Sequence, residues 1–336
     1  MRKLSLFGTV VATLAAALAL PVRSPEAQEP ITVKIATIAP ENTPWEKQLK
    51  NLKRHLESKS GGRLKVKLFM GGSLGGEKAL VRRCSQGTIQ IVGVSTGAAA
   101  SLVPELNVIE LPYLFDSEAQ ADRALDSVGG RVFNAALEKR GFGFMLWAEN
   151  GFRSLYTKGS AVQTVADLAG RRMRSQESAP HINMYKAFGA EPVPIDATNV
   201  LTSLQTGVVE GFDNTPLFAF ASSWYQAAEH VTLTEHIYQP GIVMFSKEWH
   251  DTTLPEDLRP LFSAIPAEMV QEGRNAVRAM NPILIKNLER AGLTVHRLSA
   301  AQRSEFATRA KTSWNGTLAK SGPTARAILK QLQSAR

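Results

Sequence analysis

At 336 residues the chain is long enough for about two domains. With 44% apolar and 21% charged residues it has a globular composition, able to bury sizeable cores without metals, and its single cysteine, Cys84, excludes an intramolecular disulfide. The formal charge is +9, but the Lys and Arg are scattered, with no dense run and no interleaved aromatics. That excludes a nucleic-acid footprint and leaves a general attraction for small anions.

The chain opens on a basic pair, Arg2 and Lys3, then an apolar run from Leu4 to Leu20 and a polar stretch to Pro30. This pattern predicts a secretory signal peptide over residues 1–27, outside the fold. No later segment is apolar for long enough to cross a bilayer. KIATIA (34–39) then reads as a strand. Thr43, Pro44 and Glu46 form a helix start, and Trp45, Leu49, Leu52 and Leu56 give that helix one apolar stripe. LKVKLF (64–69) alternates as a strand, and glycines 71, 72, 75 and 76 turn the chain into a second helix from about Glu77. Cys84 lies on that helix, four residues after Leu80, and reads as a buried structural thiol. TIQIVGV (88–94) is almost continuously apolar, as a strand of a buried parallel sheet requires.

This β-α-β-α-β plan recurs: RMRS (172–175), PVPID (192–196) and VVEGFDN (208–214) are three strands separated by two helical stretches. Between the copies, FGFMLWA (142–148) and FRSLYT (152–157) read as two strands at a crossover, and TVADLAG (164–170) as a short capped helix. IVMFS (242–246) reads as a strand, Pro255 to Arg290 as helix interrupted by Pro266 and Pro282, and LTVHRLS as a late strand before a helical C-terminus. Two α/β lobes of similar plan imply a cleft, and open α/β sheets bind ligands beyond the carboxyl ends of their strands.

Catalytic signatures are missing. The six histidines are scattered without an HExxH or a Cys/His cluster, and there is no GxSxG elbow or GxxxxGK[ST] loop. Neither a metal site nor a cofactor is expected. FMGGSLGGEK lacks dinucleotide spacing and reads as a turn. Arg174 closes the strand RRMRS, where a guanidinium can grip a carboxylate with two parallel hydrogen bonds; a solvated surface arginine is the alternative. Arg153 is a second candidate. Asn214, ending VVEGFDN, can offer its amide to a ligand or cap the next helix.

The series GRRMRS, FGAEPVPI and LQTGVVEGFDN resembles the signature of the DctP-type solute receptors of TRAP transporters. KIATIAPENTPW, GGSLGGEKALV and QGTIQIVGVST extend the resemblance over essentially the whole mature chain. It implies an α/β, two-lobe periplasmic binding protein of type II-like class, with a long kinked helix spanning the lobes. Lobe 1 would cover 31–150, lobe 2 151–245, and a helical C-terminal region, 246–336, would pack across both. The resemblance further implies a periplasmic receptor, not an enzyme, that closes over an organic acid and delivers it to integral membrane subunits driven by an ion gradient. Arg174 matches the arginine that clamps the ligand carboxylate, Arg153 a second binding arginine, and Asn214 the amide of the signature. Ser95 or Thr96 occupies a ligand-facing strand end, and Glu77 lies near the cleft. The aromatic stretches LWAENGF and PLFAFASSWY hold open a larger, hydrophobic or lipid-like ligand. Nothing in the sequence speaks to oligomeric state.

Overall fold

The computed structural model describes residues 29–336, so the expected signal peptide lies outside the described residues. Among the described residues nine strands form one sheet: β1 (Ile31–Ala36), β2 (Leu64–Phe69), β3 (Ile91–Ser95), β4 (Phe142–Thr157), β5 (Arg172–Ser175), β6 (Glu191–Pro194), β7 (Gly211–Asn214), β8 (His230–Ser246) and β9 (Thr294–Arg297). Their order is β2-β1-β3-β8-β4-β7-β5-β6, with β9 beside β8. The two β-α-β-α-β copies therefore flank a central antiparallel pair. In one half β1 lies between β2 and β3, all parallel; in the other β5 lies between β6 and β7, again all parallel.

The strands expected at 142–148 and 152–157 are one strand of 16 residues, and the expected strand 242–246 is the end of a strand of 17. The polar segment Glu149–Gly151 interrupts the apolar pattern without ending the pairing. A register shift between Glu149 and Gly151 absorbs it, with Gly151 at φ 99°. β4 and β8 thus run through both lobes. β3 pairs with the far end of β8, placing Ser95 opposite Gly241, and β7 pairs with the far end of β4, placing Asn214 opposite Ser154. The carboxyl ends of β3 and β7 consequently meet at the middle of the long pair, from opposite sides.

The first helix, Pro44–Lys59, begins as its sequence predicts, with the Thr43 hydroxyl accepting from the Glu46 amide. Its stripe of Leu49, Leu52 and Leu56 is buried against Val33, Ile35 and Val243. Trp45 reaches further and lies flat on the sheet over Gly93 and Gly241, where a Cβ on Gly93 would sit 2.9 Å from the indole and one on Gly241 would overlap it. Only glycine allows this approach. Gly241→Ala is therefore expected to lose about 1–3 kcal/mol in urea unfolding, the usual cost of overpacking, and an unchanged midpoint would show the indole free to move aside.

Cys84 is fully buried, and burial pushes its thiol up. Ala267–Arg290 is the long helix, with Pro266 at its N-cap and Pro282 inside, where the ring removes a backbone hydrogen bond and bends it. It touches the first helix and β4 on one side and Pro216–Ala221 and β9 on the other, so it spans both lobes. Arg274 and Arg278 tie its first half to Asp126, Asp122 and Glu149. Among the described residues no helix is long and apolar enough to cross a membrane.

Candidate functional site

The strand ends converge on a cavity of about 40 Å³. Glu77, Ser95, Arg153, Arg174 and Asn214 all line it. Thr96 does not. β3 ends at Ser95, which caps the short helix Thr96–Ala99, so Thr96 is the first helical residue and its side chain turns away from the cavity. The Thr96 hydroxyl is buried between Glu110 Oε1 and the Pro240 carbonyl, 3.1 Å from the latter.

Arg174 comes from lobe 2. It is 3% exposed, while Arg172, two residues earlier on the same strand, is exposed. Nε and Nη2 donate to the Ile195 carbonyl at 3.0 and 2.8 Å, and the guanidinium lies over Trp224, 5.1 Å from the ring centroid. These contacts fix the plane of the group by one edge. Among the described residues Nη1 has no acceptor, which leaves donors facing the cavity. Burial and the nearby Arg153 lower Arg174 to about 10, so it stays charged at neutral pH. The charge of a bound anion would counteract this lowering.

Arg153, equally buried, is engaged differently. Nε donates to Asp213 Oδ2 at 2.5 Å, Nη1 to Asn214 Oδ1 at 3.1 Å and to Gln239 Oε1 at 2.8 Å, and Nη2 to the Asp213 carbonyl. Four of its roughly five N–H donors are thus spent on the protein. This arrangement orients Asn214. Its Oδ1 accepts from Arg153 and from the Thr215 amide at 2.8 Å, so Nδ2 is the atom left to donate. Helix capping of Pro216–Ala221 falls to Thr215 instead, whose hydroxyl accepts from the Phe218 amide.

On the lobe 1 wall, Glu77 accepts from the Ser95 amide at 2.7 Å and the Ser95 hydroxyl at 2.8 Å. Burial nevertheless pushes its carboxyl up to about 7, with Asp196 and Glu110 adding to the rise. Gln176 Nε2 donates across the cleft to Ser95 at 2.7 Å, and Lys78 and Glu177 pair across its mouth at 3.1 Å. The lobes are therefore in contact around the cavity.

Behind the cavity lies a buried network that sequence reasoning missed. His181 stands between Glu110, 2.7 Å from Nε2, and Asp213, 3.4 Å from Nδ1. Asp213 also accepts from Tyr185 at 3.0 Å and contacts His236 at 3.3 Å. Gln239 Nε2 donates to Glu110 and Gln176. Gln176 directly follows the strand RMRS and was findable as a strand end; Gln239 and Glu110 carry no local signal. Of the aromatic stretches, Trp147 packs into the core and Phe220 stacks on Tyr225, while Phe218 and Trp224 reach the cavity. Among the described residues no cluster of His, Cys, Asp and Glu suits a metal ion.

Residues 35–321 match the model of the family described as bacterial extracellular solute-binding protein, family 7, named DctP. The chain is 33% identical over 211 residues to a solute-binding protein of Verminephrobacter eiseniae, and the match spans 63% of that relative's length. It is 30% identical over 240 residues to the 2,3-diketo-L-gulonate-binding periplasmic protein YiaO of Escherichia coli, covering 71% of this chain and 73% of that one. The crystal structure of the sugar acid binding protein DctPAm from Advenella mimigardefordensis, in complex with galactonate, superposes with a TM-score of 0.85 at 28% identity, covering 92% of this chain and 99% of that one. The duplicated strand order, the long bent helix and the motif series agree with these matches: the chain belongs to the DctP family of TRAP-type extracellular solute-binding proteins.

Proposed function

We propose that this protein is the periplasmic receptor of a TRAP transporter and that it holds an organic acid by its carboxylate, between Arg174 and the Asn214 amide. The observation that carries this reading is the free edge of the Arg174 guanidinium, buried and facing the cavity where strand ends from both lobes converge. Desolvating a carboxylate costs several kcal/mol unless a partner compensates, and this cavity supplies one. Ser95 and Glu77 complete the opposite wall, and Arg153 acts by holding Asn214. Thr96 supports the wall from behind through Glu110.

Residues 31–150 and 151–245 form the two moving bodies, hinged where β4 and β8 pass the cavity, and 246–336 straps them together. Closure then buries the ligand, and the closed form is what the membrane subunits receive. A small acid is favoured over a large hydrophobic ligand, because a cavity of about 40 Å³ with amides, a hydroxyl and charges in its lining leaves room for few carbon atoms.

Protein exported to the periplasm, purified and then denatured should release a carboxylic acid identifiable by mass spectrometry. The intact mass should show an N-terminus shortened by about 27 residues, the expected signal. Adding back the acid should shrink the radius of gyration in solution scattering. Release of a neutral lipid with no acid, or tight binding without a change in scattering, would overturn the reading.

A further inference from the structure

The clamp accounts for one carboxylate, and the rest of the cavity limits what can be attached to it. Two cations line the cavity, Arg153 and Arg174. Arg153 is neutralised by Asp213, and at the mouth Lys78 is paired with Glu177. A second carboxylate on the ligand would therefore find no unengaged cation among the described residues lining the cavity. It would meet Glu77 instead, which enters from the wall opposite the clamp. Both Glu77 oxygens already accept one hydrogen bond each from Ser95, which fixes the carboxyl and leaves lone pairs for donors from a ligand. Thr37, Asn150 and Gln239 supply further neutral polar lining, and Trp45 and Trp224 add aromatic lining beside it.

We propose that Glu77 is a specificity-determining residue that confines the site to acids with one carboxylate on a hydroxylated chain: it accepts hydrogen bonds from ligand hydroxyls and repels a second carboxylate. The inference rests on the carboxylate clamp proposed above. The charged and titratable groups facing Glu77 are Lys78 on its own helix, Glu110, Arg153, Arg174, Glu177 and Asp196. Because burial lifts Glu77 to about 7, its repulsion switches off in mild acid.

A matched pair of probes isolates the effect. D-galactonate and galactarate share a six-carbon chain and differ in one end, a hydroxymethyl in the first and a second carboxylate in the second. By calorimetry at about pH 8 the wild type should bind galactonate at least ~100-fold more tightly than galactarate, the scale of like-charge rejection in a desolvated site. Glu77→Gln, which keeps the shape and a hydrogen bond to Ser95, should narrow that ratio to within about 10-fold. Glu77→Asp keeps the charge and should keep most of the rejection. In the wild type, galactarate should gain affinity between about pH 8.5 and pH 5.5, a range in which its own carboxylates stay ionised, and Glu77→Gln should lose that pH dependence. Melting curves check that each variant is folded. Galactonate bound through Arg174, with a galactarate ratio that Glu77→Gln leaves unchanged, overturns the role of Glu77 and spares the clamp. Galactarate bound as tightly as galactonate by the wild type also overturns it. If neither acid binds, the hydroxylated-acid class is wrong and the inference falls; if other carboxylates fail as well, the clamp falls with it.

Discussion

Arg174→Ala should weaken binding of D-galactonate, or of whichever acid is recovered with the protein, by about 3–5 kcal/mol, the range for breaking a buried pair. That is roughly two to three and a half decades in dissociation constant. The size follows from the setting. The guanidinium is 3% exposed, and its remaining contacts are a neutral carbonyl and an indole face, so the ligand would be its principal counter-charge on the cavity side. Arg174→Lys keeps a charge but not the fork, and should also bind clearly less tightly. Arg172→Ala, on the same strand but exposed, is the control. Calorimetry decides, and near-wild-type affinity in Arg174→Ala would return this residue to a structural role against Ile195 and Trp224.

The second large effect is on stability. Asp213→Asn should cost about 3–5 kcal/mol in denaturant unfolding, because it strips Arg153 of its counter-charge in a site with no water-exposed alternative. The same carboxylate shapes the acid limb of the stability curve. Burial alone would raise Asp213 and Glu110; for Asp213 the charge of Arg153 and hydrogen bonds from His181 and His236 outweigh it, and for Glu110 the contacts to His181 and Thr96 do. Both are therefore held below their ordinary values, so their stabilisation is present above about pH 4 and lost as pH falls through the lower folded-state values. Glu77 has the opposite sign: its stabilisation is complete below about pH 4 and lost as pH rises through about 7. The wild type should be most stable in mild acid. Asp213→Asn should flatten the acid limb; an unchanged limb would mean that other carboxylates govern acid unfolding.

What the sequence made legible follows from locality. The parallel strands were readable because alternation, buried apolar runs and glycine stops are all written within ten residues, and RMRS and VVEGFDN end where Arg174 and Asn214 enter the cavity. The continuity of β4 and β8 was hidden, because the polar Glu149–Gly151 and the Gln239–Pro240 step break the apolar pattern where it passes the cavity. The network of Glu110, His181, Asp213, His236 and Gln239 was hidden for a different reason. Its members come from four separate elements, and no spacing rule links them before the chain is folded. Thr96 shows the limit of reading a strand end: the strand gives way to a helix between Ser95 and Thr96, a boundary that the run QGTIQIVGVST does not mark.

The strand order also governs how the chain can assemble. β3 has β8 as a neighbour, and Ile91 pairs with Phe245, ~150 residues later. The half of the sheet that is first in sequence therefore cannot close its edge until most of the polypeptide is present. Loops of that length are entropically slow to form, so contact order predicts a refolding rate set by docking of β8, with the early strands left as an unpaired, sticky edge in the meantime.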